Sequence, residues 1–194
     1  MYFDPATEAA IRTVWRELAD SGVDDTQPAQ GFRPHVSLAV AVAVDEEALV
    51  EVLASFAADV QPFDVTLGSV GMFGNEESGV VFYAPVVTQL LLTIHAEFHR
   101  RCTALSDDGT ENGGQSYYLP GRWIPHVTLA QALGEARARR ALTIATAGVS
   151  LPLHGRLVEI GLSTFTPSVM RHLFELGGGR VEWKAEELTP KHDP

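Results

Sequence analysis

Two five-residue strings constrain this chain more than any other feature: Pro34-His35-Val36-Ser37-Leu38 and Pro125-His126-Val127-Thr128-Leu129, whose histidines stand 91 residues apart. From ordinary residue frequencies such a string is expected on the order of once per million positions, so two copies point to a duplicated unit. Each copy is followed by a helical pattern and then two strand patterns, and Gly71 and Gly161 keep nearly the same offset at 90 residues. This predicts an α+β fold, bilobal, with two pseudo-symmetric lobes of mainly antiparallel sheet around a central groove. The units run over about 30–104 and 121–184, within one domain of 1–184, and 185–194 reads as a polar C-terminal tail.

The elements follow from periodicity and stop signals. Asp4 before Pro5 predicts a helix start, with Ile11, Val14, Trp15 and Leu18 on one stripe and Ser21-Gly22 as its end. After the polar loop 23–33, the segment 34–44 reads as a strand. Asp45 then caps a helix carrying Leu49, Val52, Leu53 and Phe56. Strands are expected at 63–73 and 79–85, a helix from Thr88 to Cys102, and a polar loop to Ser116. The second unit repeats the order with strand 123–133, helix 135–147, strand 151–165 and strand 170–176.

Alternation along a strand puts i and i+2 on one side, so His35 shares a face with Ser37, Ala39, Ala41 and Ala43, and His126 with Thr128, Ala130 and Ala132. The intervening Val36 and Val127 point to the core, and the alanines leave room above the other face. Two imidazoles with an ordinary pKa near 6.5 can divide the work of phosphodiester cleavage: one takes a proton from water while the other protonates the departing oxygen. The hydroxyls of Ser37 and Thr128 can donate to the non-bridging oxygens. None of these roles requires a metal or other cofactor.

These motifs resemble the His-x-Ser/Thr-x signature of the 2H phosphoesterases, which include the 2′-5′ RNA ligase-like proteins and RNA cyclic phosphodiesterases. The resemblance spans most of the chain and implies a bilobal fold with His35 and His126 at its centre. It further implies an enzyme that opens a 2′,3′-cyclic phosphate on a short RNA end or small nucleotide, with 2′-5′ ligation as the reverse chemistry, and His126 as base with His35 as acid. The alternative is a module of the same fold that holds a nucleotide without turning it over.

Arg33 and Arg122 precede the two motifs and are candidates to bind a second phosphate; Tyr117, Tyr118, Phe73 and Phe165 are candidate stacking platforms for a base, and Trp123 is expected in the core. His95 and His99 have a spacing that can bind zinc, but Glu97 stands at the wrong position for a His-Glu-x-x-His site, so no metal is expected. Gly177-Gly178-Gly179 reads as a hairpin turn. With 14 basic against 25 acidic residues, a net charge of −11 disfavours an extended nucleic-acid surface. A single cysteine, no apolar run of membrane-spanning length and no leader-like start lead to the expectation of a cytoplasmic monomer.

Overall fold

The computed structural model describes residues 1–40, 45–74, 78–103, 116–165 and 167–181. In chain order these form β1 (Tyr2–Phe3), α1 (Pro5–Asp20), α2 (Thr26–Ala29), α3 (Glu46–Asp59), β2 (Phe63–Phe73), β3 (Gly79–Pro85), α4 (Gln89–Thr103), a 3₁₀ turn (Ser116–Tyr118), β4 (Val127–Leu133), α5 (Glu135–Gly148), β5 (Leu153–Thr164), β6 (Val169–Glu175) and β7 (Arg180–Val181). The expected α+β architecture holds, with antiparallel pairing throughout the described strands.

The long strands β2 and β5 pair with each other from Phe63↔Leu157 to Leu67↔Leu153. From this centre the two halves extend alike. β2 pairs β3, and β3 pairs β4, which carries the second motif; β5 pairs β1, and Tyr2 of β1 bridges His35 of the first motif. β6 lies along the C-terminal half of β5, and the Gly177–Gly179 turn leads into β7 as the hairpin reading expected.

Local chemistry explains the boundaries. Asp4 accepts from the Ala6 and Thr7 amides at the start of α1, where Pro5 has no amide hydrogen to leave unpaired, and its other oxygen accepts from the Arg156 amide of β5. One side chain thereby caps the helix and docks it to the sheet. Asp45 caps α3 through the Ala48 amide. The core runs between sheet and helices: Ile11, Val14, Trp15 and Leu18 of α1, Phe56 of α3 and Leu91 of α4 are buried with Val36, Leu67, Tyr83, Val127 and Leu157.

Three expectations change. Residues 34–40 form no continuous strand: beyond the Tyr2↔His35 bridge and the reciprocal bonds between Met1 and Val36, the ladder ends because β1 is two residues long before Asp4 turns the chain into α1. Residues 41–44, the predicted remainder, lie outside the described residues, as do most of the 74–78 turn, nearly all of the 106–116 loop and the 185–194 tail. Ala130 is buried, not on the open face, because the β3–β4 register shifts on either side of its partner Val81, and Ala132 adopts φ +52°. Lastly, the polar loop before Arg33 holds the short helix α2.

Candidate active site

The two motifs present their histidines in the same way. His35 Nδ1 lies 2.7 Å from the carbonyl oxygen of Arg33, and His126 Nδ1 lies 2.8 Å from that of Ile124, in each case two residues back across a proline. A carbonyl only accepts, so each Nδ1 carries the proton and donates it, and in the neutral ring Nε2 bears the lone pair. Both rings are partly exposed on the open face while Val36 and Val127 are fully buried beneath them.

Each motif is also anchored by an indole. Trp123 Nε1 donates to the Ser37 carbonyl and Trp15 Nε1 donates to the Thr128 carbonyl, both at 3.1 Å. The carbonyl of the hydroxyl residue is thus held from the core side in both copies, which fixes where its side chain projects. Aromatic rings hold the imidazoles laterally: Tyr2 and Phe32 flank His35, and Phe73 and Phe82 flank His126, with Phe73 meeting it edge to face at 5.0 Å.

Tyr118 connects the copies. Its hydroxyl shares a hydrogen bond with the Ser37 side chain, and its ring centroid is 6.4 Å from that of His126. Its position is set by a buried cluster on α4. His95 Nε2 donates to the Tyr118 carbonyl at 2.8 Å, His99 Nε2 donates to the Leu38 carbonyl at 3.0 Å, and the His95 ring stacks on Trp123 at 3.9 Å with 2° between planes. The His95/His99 pair therefore serves two backbone carbonyls beside the motifs, and among the described residues no three His, Cys, Asp or Glu side chains converge as ligands.

Electrostatics separates the two histidines. Burial pushes the His35 imidazole down to about 4, opposed by the Arg33 carbonyl and aided by the Met1 amino group and by His126. That His126 acts on it places the two rings within electrostatic reach. Burial lowers His126 as well, against the Ile124 carbonyl. His35 is the more firmly neutral of the pair.

Of the other expected site residues, Tyr118 and Phe73 contact the motif side chains, Phe165 lies 51% exposed against Phe32, and Tyr117 projects away at 74% exposure. Arg33 departs from expectation. Its guanidinium forms ion pairs with Glu8 and Glu159, each at 2.9 Å, and lies over the Tyr2 ring, so it ties α1 to β5 and braces the first motif from behind. Those acidic partners lie 25 and 126 residues away in sequence, which hid the pairing. Arg122 is exposed in the turn before Trp123. Sequence reading did not assign Tyr2, Phe82, His95 or His99 to the site; the i, i+4 spacing of the last two on a helix was the available signal.

A cavity of about 520 Å³ opens on the first motif. His35, Ser37 and Tyr118 form part of its wall, and it continues between α3, α4 and β5.

The family model described as the 2′-5′ RNA ligase superfamily matches residues 3–164, which includes both motifs and every strand from β2 to β5. No curated protein gives a significant match.

Proposed function

This chain belongs to the 2′-5′ RNA ligase superfamily, whose members are phosphoesterases or ligases, and on that footing we propose that it is a metal-independent phosphodiesterase cleaving a 2′,3′-cyclic phosphate or similarly small phosphodiester by proton transfer between His35 and His126. The observation that carries this reading is the matched pinning of both Nδ1 atoms by the carbonyls of Arg33 and Ile124, which among the described residues leaves both Nε2 atoms without a hydrogen-bond partner and so available to exchange protons.

The electrostatics supports His35 as the base and His126 as the acid, the reverse of the order implied by the resemblance. His35, held down to about 4, is neutral across the working range and its Nε2 can accept a proton from water. Burial disfavours the charged form of His126, so the productive form is the fraction protonated below the ordinary histidine value; that form donates to the leaving oxygen and is restored by the proton that His35 has taken. Ser37 and Thr128 donate to the non-bridging oxygens, and Ser37→Ala and Thr128→Val should each lower kcat by about tenfold, less than loss of a proton carrier.

The pH profile tests this assignment. For the free enzyme, activity should rise as pH passes upward through about 4, where His35 loses its proton, and fall as His126 loses its own below the ordinary value of 6.5. kcat/KM on a 2′,3′-cyclic nucleotide should therefore peak below pH 6.5. A plateau extending above pH 8 would refute the pairing of these two groups as base and acid.

A further inference from the structure

The cavity beside His35 bears on which phosphodiesters this site accepts. It extends from His35 and Ser37 past Leu38, Leu49, Leu53, Phe98, Ile160 and Leu162, so most of its wall is hydrocarbon. Among its described lining residues the only arginine or lysine is Arg171, whose guanidinium meets the Glu46 carboxylate at 3.2 Å. The Met1 amino group also lines the cavity, but it donates to the Val36 carbonyl at 2.8 Å and burial pushes it down to about 5, so it is neutral at neutral pH, and Asp45 adds a further negative charge. Such a wall offers little to the next phosphate of an RNA strand, because a phosphate moved here would lose water without gaining a free cation. It rewards an uncharged apolar group instead.

Resting on the two-histidine reading, we propose that this cavity is a subsite for an apolar arm of the substrate, and that the preferred substrates are small phosphodiesters carrying an alkyl or aryl group and not RNA ends. The phosphate sits at Ser37 and His35; the arm retained after cleavage enters the cavity. Water attacks phosphorus as its proton passes to His35, a new phosphorus–oxygen bond forms, and the opposite ester bond breaks, releasing the other arm as its alcohol or alkoxide. The retained arm stays bonded to phosphorus in the product monoester.

A series of 4-nitrophenyl alkyl phosphates tests this, since nitrophenolate leaves without needing an acid and the alkyl chain is the retained arm. Across methyl, propyl, butyl and hexyl members, kcat/KM should rise about fourfold per methylene, the value expected for burying one such group, until the cavity fills. Leu49→Trp, at a partly exposed wall position, should collapse the hexyl-to-methyl ratio to within about fivefold, a ratio that is insensitive to the fraction of active protein. The controls are cyclic mononucleotides and a cyclic-phosphate trinucleotide. A flat alkyl series with turnover of the nucleotides, or a trinucleotide cleaved more than tenfold better than the hexyl ester, overturns the subsite and leaves the catalytic reading in place. No turnover of any member removes both.

Discussion

Replacing either histidine by alanine should lower kcat on the best substrate by about 10² to 10⁴, the usual worth of a positioned proton-transfer group. The structural reason is the shared geometry: in each copy the Nδ1 proton is fixed on a carbonyl two residues back, so alanine removes the one ring nitrogen left to exchange protons. The two variants should nevertheless differ in kind. With a sugar hydroxyl leaving, His126→Ala and His35→Ala should be comparably slow. With 4-nitrophenolate leaving, protonation is no longer needed, and His126→Ala should recover to within about tenfold of wild type while His35→Ala stays slow. Thermal unfolding of both variants should remain cooperative, because Val36 and Val127, not the imidazoles, fill the core beneath the motifs. Equal rescue of both variants would contradict the assignment of one base and one acid.

The second large effect is on stability in acid. His95 is 1% exposed, and burial together with its neighbour His99 pushes it down to about 4, whereas in the unfolded chain it titrates near 6.5. Between those values the unfolded state takes up a proton that the folded state refuses, so folding stability declines as pH falls through this window. Going from pH 7 to pH 4.5 should cost about 2 kcal/mol through this group alone, from the linkage of one histidine whose folded value is depressed. His95→Gln keeps an N–H for the Tyr118 carbonyl but cannot titrate. Urea midpoints of wild type and variant at both pH values give the difference; a wild type that loses no more stability than His95→Gln would contradict the buried neutral histidine. Partial unfolding here would free the carbonyls of Tyr118 and Leu38 and loosen both motifs together.

Much of this was legible because the governing signals are local. Asp4-Pro5 and Asp45 set helix starts that the structure reproduces, and strands 63–73 and 79–85 coincide with β2 and β3 to the residue. Alternation placed His35 and Ser37 opposite Val36 and Leu38 for the same reason. What escaped depends on partners remote in sequence. β1 is too short to show any period, and it is a strand only because β5 and His35 lie on either side of it. Arg33 reads as a free cation until Glu8 and Glu159 are folded against it. Ala130 becomes buried through a register shift, which alternation counted along one strand cannot register. The His95/His99 spacing reads as no metal site and suggests no other role, whereas the fold directs both Nε2 atoms to backbone carbonyls beside the first motif.

The most direct test of the account is turnover of a 2′,3′-cyclic mononucleotide, or of the hexyl nitrophenyl diester if that proves the better substrate, in excess chelator after exhaustive metal removal. Proton transfer between His35 and His126 requires no cation, so kcat should be unchanged by chelation and by subsequent addition of zinc or magnesium. Activity abolished by the chelator and restored by zinc, or undiminished turnover by the His35→Ala, His126→Ala double variant, would contradict the two-histidine mechanism.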